Sequence, residues 1–150
     1  MTNFTVHKFG GSSLADTERL NIVFNIILKK HDGLTGAVLS AMGGVTDNLV
    51  NIASLSAAGP DEAWAQTQKL FERFETTAKE FLNLENAKLV VSAIKSDLSD
   101  LKDIIKAISI VKECSEQKHE YIVGLGEVWT AQLMNARFVQ EGLKSDWVDA

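Results

Sequence analysis

Lys8-Phe9-Gly10-Gly11-Ser12-Ser13 lies between a β-forming stretch and a helical pattern, and its reading decides the fold. Upstream, Phe4-Thr5-Val6-His7 has the β-branched and aromatic content of a short strand. Downstream, Asp16-Thr17-Glu18-Arg19 opens a helix with an acidic first turn, as the helix dipole favours. Strand, glycine pair and helix in that order present bare backbone N–H groups to an anion. The glycines let the main chain approach a phosphate with no Cβ in the way, and Lys8 adds a point charge. A glycine pair also serves as a plain tight turn; the lysine before it and the serines after it favour phosphate.

Working outward, the first helix is predicted from Asp16 to Lys30, with Leu20, Val23, Phe24, Ile27 and Leu28 at helical spacing and Asp32-Gly33 as its stop. Thr35-Gly36-Ala37-Val38-Leu39-Ser40 is an apolar run suited to a buried parallel strand. A second glycine-pair loop, Ala41-Met42-Gly43-Gly44-Val45-Thr46-Asp47, leads into a helix predicted from Asn48 to Ala57. Gly59-Pro60-Asp61 breaks the chain, with Asp61 placed to cap the next helix. Trp64, Phe71, Phe74, Ala78 and Phe81 then form one stripe, and Val91, Ile94, Leu98, Leu101, Ile105 and Ile108 another. Together they predict a long helical hairpin over about residues 61–112, turning near Leu84-Glu85-Asn86. Such stripes form a core or helix–helix seam, or else a contact with a partner subunit. Tyr121-Ile122-Val123-Gly124-Leu125-Gly126 is expected to lead into a helix from Glu127 to Glu141, with Gly142 as its C′ residue. Residues 146–149 look strand-like, and a chain stopping there reads as part of something longer. Strand–helix alternation with glycine loops after the strands predicts an α/β fold, mainly a parallel sheet flanked by helices, with the hairpin inserted.

Bulk properties narrow the function. The 150 residues fit one domain, and the composition, 45% hydrophobic and 23% charged, is that of a globular protein. A net charge of −5 offers no basic footprint for nucleic acid. No apolar run approaches the roughly 20 residues that span a bilayer, and the N-terminus lacks signal-peptide features. Neither nucleic acid nor membrane is therefore expected as a partner. The lone Cys114, expected as a half-buried helix residue, suits a reducing compartment, so a cytoplasmic location is expected. His7 is expected as a packed or edge residue, and His31 and His119 as solvated loop residues; no metal-ligand spacing appears among them.

In open α/β sheets, ligands gather at the carboxyl ends of strands. Three polar, glycine-bearing segments occupy or adjoin such positions: residues 8–13, 40–47 and 124–127. The first supplies a cation and amides. The second supplies the hydroxyls of Ser40 and Thr46 around Gly43-Gly44. The third supplies the carboxylate of Glu127, expected at a helix N-terminus. Singly, each has an ordinary reading: a dipole partner for Glu127, an N-cap for Thr46, a strand-end residue for Ser40. Together they match what phosphoryl transfer needs, donors for the transferring group and groups that fix the acceptor. The P-loop and dinucleotide glycine patterns are absent, as is a nucleophile elbow.

These segments resemble the aspartokinases, within the amino-acid-kinase fold. The resemblance is carried by Val6-His7-Lys8-Phe9-Gly10-Gly11-Ser12-Ser13-Leu14-Ala15 and by Val38-Leu39-Ser40-Ala41-Met42-Gly43-Gly44-Val45-Thr46-Asp47. It continues in Gly126-Glu127-Val128-Trp129-Thr130-Ala131-Gln132-Leu133-Met134 and in Trp147-Val148-Asp149-Ala150, so it spans essentially the whole chain. The opening motif alone is shared with glutamate, acetylglutamate and uridylate kinases; the second and third favour aspartate. The hairpin and the Gly126-Glu127-Val128-Trp129 wording resemble the kinase portion of bifunctional enzymes. The resemblance implies that residues 1–150 are the N-terminal lobe of the catalytic domain. It also implies ATP-dependent phosphorylation of L-aspartate to 4-phospho-L-aspartate, towards lysine, threonine and methionine. By position, Lys8 would contact the transferring phosphate, and Gly10, Gly11 and Ser12 would cradle the ATP phosphates. Ser40, Thr46 and Glu127 would hold aspartate, Mg2+ would arrive with the nucleotide, and a homo-oligomer is expected. In the family the adenine-binding half and regulatory domains lie beyond the matched region, so this chain alone is expected to be inactive. Arg137 matches no family motif and is expected as a surface or salt-bridging residue. The rival reading is a non-catalytic amino-acid-kinase-like module for ligand binding or oligomerisation.

Overall fold

Two strands, Phe4–Phe9 (β1) and Leu34–Leu39 (β2), pair in parallel with Phe4 opposite Leu34 and Phe9 opposite Leu39. They belong to a computed structural model that describes residues 4–31 and 34–149. Parallel pairing demands a crossover, and helix α1 (Thr17–Lys30) supplies it. Its start is fixed by Asp16, whose side chain accepts the Arg19 N–H at 2.8 Å. Its inner face buries Leu20, Val23, Phe24 and Ile27 at the predicted spacing. The expected stop at Asp32-Gly33 lies outside the described residues.

Five helices outweigh the two described strands, so the α/β expectation holds with a helix-rich emphasis. Helix α2 (Val45–Leu55) starts three residues before the expected Asn48. Its N-cap is Gly44, at φ 77°, and not Thr46, which is the second helical residue. Helix α3 (Pro60–Phe81) likewise begins on Pro60, whose fixed φ suits a first helical position. Asp61 therefore faces the dipole from the first turn and does not cap.

Helices α3 and α4 (Leu84–Val111) form the predicted hairpin. The turn falls at Leu82-Asn83, slightly before the expected place, because the Asn83 side chain accepts the Asn86 N–H at 2.9 Å and so starts α4. All six residues of the Val91 stripe are buried. That stripe is a seam within the chain and leaves no face for a partner. Along α3 the buried line is Ala63, Thr67, Leu70, Phe74, Thr77, Ala78 and Phe81. Trp64 and Phe71 sit at its margin, roofed by the Lys102 and Lys95 ammonium groups at 5.0 and 5.7 Å from the ring centroids. Cys114 is half-buried in the α4–α5 connection and not in a helix.

The largest departure is helix α5, which runs unbroken over Glu116–Gln140. Residues 121–126, expected only to lead into a helix, are themselves helical, Glu127 lies mid-helix and not at a helix start, and His119 is in the first turn and not in a loop. Ser115 caps the helix, accepting the Lys118 N–H, and Ile122, Leu125, Trp129, Leu133 and Met134 bury one face. Gly142 does occupy C′, at φ 80°, with Gly142 N–H bonding the Val139 carbonyl and Leu143 N–H the Phe138 carbonyl. The expected strand over 146–149 is not formed.

Two side chains lock α5 in place. Arg137, expected as a surface or salt-bridging residue, does form an ion pair but is half-buried, donating to the Phe81 carbonyl at 2.7 Å and to Asn21 Oδ1 at 3.2 Å. Its guanidinium stacks on Phe24 and Phe81, 4.9 and 5.2 Å from their centroids, and it also pairs with Glu141. Trp129, fully buried, meets Phe74 edge to face and donates from Nε1 to Asp97 Oδ2 at 2.8 Å, joining α5 to α4. Burial holds the Asp97 carboxyl above the usual carboxylate range; the Trp129 hydrogen bond opposes that shift and Asp100 adds to it.

A raised folded-state pKa means that the native chain binds the Asp97 proton more tightly than the unfolded chain. Stability from this group is therefore lost as pH rises from the ordinary carboxylate range through the raised value. Asp97→Asn keeps an acceptor for Trp129 without the charge, so its melting temperature at neutral pH should equal or exceed the parent's, with the difference vanishing in acid. Asp97→Leu leaves the indole N–H unpaired and should cost about 1–3 kcal/mol at all pH values. Equal losses for both variants would show that the indole needs the charge and not merely an acceptor.

Candidate active site

Parallel pairing sends the loops after β1 and β2 out of the same end of the sheet. Ser40 N–H bonds the Phe9 carbonyl at 3.0 Å, which carries the ladder one step past the strands and sets the two loop mouths side by side. After β1 the chain makes a 3-10 turn over Gly11–Leu14, closed by Ser13 N–H on the Gly10 carbonyl at 2.9 Å. As at the start of any such turn, the N–H groups ahead of Ser13 have no partner within it. Lys8 is exposed at the end of β1, and its Nζ is 3.9 Å from where a Cβ on Gly10 would stand. Cation and free amides thus share one corner, with Ser12 exposed beside them.

The two glycine loops touch through their backbones. A Cβ on Gly11 would stand 3.0 Å from the Ala41 carbonyl oxygen, and one on Gly43 would stand 3.0 Å from Ala15 Cβ and 3.3 Å from the Gly11 carbonyl oxygen. Any side chain there would drive the loops apart. On its other side the second loop meets α5. A Cβ on Gly126 would come within 2.8 Å of Ala41 Cβ and 2.9 Å of Val45 Cγ1. Met42, 1% exposed, donates its N–H to Thr130 Oγ1 at 3.2 Å, and that hydroxyl donates to the Gly126 carbonyl at 2.8 Å.

The structure therefore brings all three sequence motifs together, although the third arrives on a mid-helix face. Ser40 is half-buried at the β2 exit, Thr46 is exposed in the first turn of α2, and Glu127 is half-buried on α5, next to Gly126. Gly11 meets the second loop at the Ala41 carbonyl and Gly43, whereas Gly126 of α5 meets it at the Ala41 and Val45 side chains. Thr130 has no role in the sequence reading. The spacing Gly126-x3-Thr130 would have revealed it once the segment was read as helix, since residues four apart share a face. A concavity of about 700 Å3 lies elsewhere, between β2, the end of α1, α5 and residues 143–148, and holds none of these side chains. A smaller cleft of about 360 Å3, lined by Asp16, Thr17, Met42, Arg73 and Glu80 among others, abuts the second loop. Among the described residues no group of three His, Cys, Asp or Glu side chains could hold a metal ion.

The two helical glycines of α5 make opposite predictions. Nothing lies within 4 Å of a Cβ on Gly124. Gly124→Ala should therefore stabilise the chain by about 0.5–1 kcal/mol through helix propensity and reduced unfolded-state entropy. Gly126→Ala gains the same propensity but forces a methyl against Ala41 and Val45, an overpacking cost of about 1–3 kcal/mol, so it should be destabilising or at best neutral. Thermal melts of the two variants check the pair; a stabilised Gly126→Ala would refute the close approach.

A family model described as the amino acid kinase family matches residues 3–150. A bifunctional aspartokinase/homoserine dehydrogenase 2 of Escherichia coli (strain K12) is 34% identical over 97% of this chain and 17% of its own length. The chloroplastic bifunctional aspartokinase/homoserine dehydrogenase 1 of Zea mays is 32% identical, with 97% of this chain and 16% of that protein covered. The chain thus spans about a sixth of the length of these curated relatives. Among solved structures, E. coli aspartokinase III in complex with lysine and aspartate (T-state) superposes with a TM-score of 0.80. It is 22% identical and covers 94% of this chain and 30% of that one. The same enzyme in complex with aspartate and ADP (R-state) gives 0.77 at 21% identity, covering 97% and 31%. With the glycine loops, their parallel strands and the family match in agreement over the length of the chain, it belongs to the amino acid kinase family.

Proposed function

We propose that this chain is the phosphate- and acceptor-binding lobe of an aspartate kinase, which transfers the γ-phosphoryl group of ATP to the side-chain carboxylate of L-aspartate. The observation that carries the reading is the contact of the second glycine loop with the first loop on one side and with α5 on the other. Support comes from relatives named as aspartokinases and from a structural neighbour described with aspartate and ADP bound.

In this reading the N–H groups of Gly10, Gly11 and Ser12 hold the ATP phosphates. Lys8 stabilises the negative charge that gathers on the oxygens of the transferring group as the bond to the leaving oxygen breaks and the bond to the carboxylate forms. Ser40 and Thr46 hydroxyls orient the acceptor, and Glu127 pairs with its α-ammonium group. The acceptor is already a nucleophilic anion, so no general base is required. Mg2+ would arrive with the nucleotide, since it usually keeps substrate phosphates and waters as ligands, and would shield the phosphate charge. We place the enzyme in a reducing, aqueous compartment such as the cytoplasm. The lone Cys114 favours that, and no helix among the described residues is long and apolar enough to cross a membrane. The homo-oligomer is proposed from the family resemblance alone, since both hairpin stripes are used within the chain.

The test uses the full-length protein with ATP, L-aspartate and hydroxylamine, which traps an acyl phosphate as hydroxamate. Lys8→Ala should lower kcat by about 10²–10³, roughly 3–4 kcal/mol of transition-state stabilisation, with little change in the KM for aspartate. Glu127→Gln should instead raise the KM for aspartate by about ten-fold or more. Near-normal turnover by Lys8→Ala would remove its assigned role. Hydroxamate formed from glutamate or acetylglutamate and not from aspartate would move the chain to a sister activity. Binding of neither aspartate nor ATP by the folded full-length protein would favour the non-catalytic module.

A further inference from the structure

Four polar side chains are buried among the described residues: Ser56, Thr67, Thr77 and Thr130. All four donate their hydroxyl to the carbonyl four residues earlier, the ordinary way for a helical Ser or Thr to satisfy itself. Thr130 alone of the four also accepts a hydrogen bond from another segment, the Met42 N–H of the second glycine loop, 88 residues away. Because Thr130 is 0% exposed and Met42 1%, bulk water does not reach the pair to replace the hydroxyl. The bond falls where Gly126 lets α5 approach most closely, beside Ala41 and Val45.

From this geometry we infer that Thr130 is a positioning residue of the acceptor site: its hydroxyl sets the distance between the loop carrying Ser40 and Thr46 and the helix carrying Glu127. The inference rests on the aspartate kinase reading for its kinetic consequence, though not for the linkage itself. Met42 lies between Ser40 and Thr46 in the loop, and the Gly126 carbonyl belongs to the peptide unit joining it to Glu127. One hydroxyl thus couples the backbone beneath the two acceptor-orienting hydroxyls to the backbone beneath the carboxylate. The first glycine loop meets the second at Gly11, against the Ala41 carbonyl and Gly43, and makes no hydrogen bond to Thr130. Loss of the hydroxyl should therefore loosen the fit to the amino-acid acceptor far more than the fit to the nucleotide.

Thr130→Val removes the hydroxyl at nearly constant shape, and Thr130→Ser keeps it. In the full-length enzyme, Thr130→Val should raise the KM for aspartate by about five- to ten-fold while the KM for ATP stays within about two-fold, and Thr130→Ser should stay close to the parent in both. Thr130→Ala gives the same comparison where the valine variant does not fold. Separately, amide hydrogen exchange at Met42 should be protected in the parent and faster by about ten-fold in the variant lacking the hydroxyl. A parental KM for aspartate in a folded Thr130→Val or Thr130→Ala enzyme, an equal rise in both KM values, or an unprotected Met42 amide in the parent would each overturn the inference. A parent that makes no acyl phosphate from aspartate would instead overturn the functional reading, and the Met42 exchange would still decide whether the linkage exists.

Discussion

Backbone touching backbone is the constraint on which the rest of this structure depends. At Gly11, Gly43 and Gly126, separate segments approach so closely that a single methyl group would meet carbonyl oxygen, Ala15 Cβ or Ala41 Cβ at 2.8–3.0 Å. Interiors are packed near crystalline density and do not absorb such an intrusion without shifting. The glycines therefore do more than allow a turn. They set the separation between the loop after β1, the loop after β2 and the middle of α5, the three segments that carry the candidate site residues.

A contact this close holds only if the partners are fixed from behind. The hairpin of α3 and α4 does this for α5. Trp129 is one turn beyond Leu125 on the buried face; it packs on Phe74 of α3 and bonds Asp97 of α4. Arg137, two turns further on, ties the same helix to the Phe81 carbonyl and to Asn21 of α1. A guanidinium that is flat, permanently charged and stacked on two rings resists displacement better than a flexible ammonium would. The long insertion thus acts as a buttress for the helix that carries Glu127, and its apolar stripes serve that purpose within the chain.

The parts of the fold written in local signals were legible in the sequence. Lys8-Phe9-Gly10-Gly11 follows a β-branched strand, and the loop, the crossover α1 with its Asp16 cap and the parallel partner all follow from that. The six-residue Val91 stripe gave α4 because its three-four period runs for many turns. Legibility failed at residues 121–126, where two glycines and a Tyr-Ile-Val run mimic a strand leading to a loop. Those glycines are instead helical, one with open space above it and the other pressed against Ala41 and Val45. Only tertiary packing distinguishes those cases, since helix propensity alone disfavours both. The same misreading concealed Thr130, because its link to Gly126 exists only at helical spacing. Arg137 was hidden for a related reason: its partners Phe24, Phe81 and Asn21 come from two distant segments, and no local pattern announces them.

In the aspartate kinase reading, two anionic ligands would come to an acidic chain. At a net charge of −5 the overall field gives no attraction to ATP or aspartate, so affinity must come from short-range groups inside a Debye length of roughly 8–10 Å. The topology separates those groups by task. Lys8 and the amides of the 3-10 turn belong to β1 and the loop after it, and Glu127 belongs to α5; that loop and α5 pack on the second glycine loop through Gly11 and Gly126 respectively. A carboxylate placed among the phosphate donors would repel the nucleotide; on α5 it would be available to the positive end of a zwitterionic acceptor. In that reading the acceptor's side-chain carboxylate would be the end that meets the cation. The second glycine loop carries no charged side chain from Ser40 to Thr46, only small or neutral residues, which keeps either charge from being neutralised before the ligands arrive. In the aspartate kinase reading, a zwitterionic amino acid is expected to be favoured over a simple carboxylate, because it offers a charge to both Lys8 and Glu127.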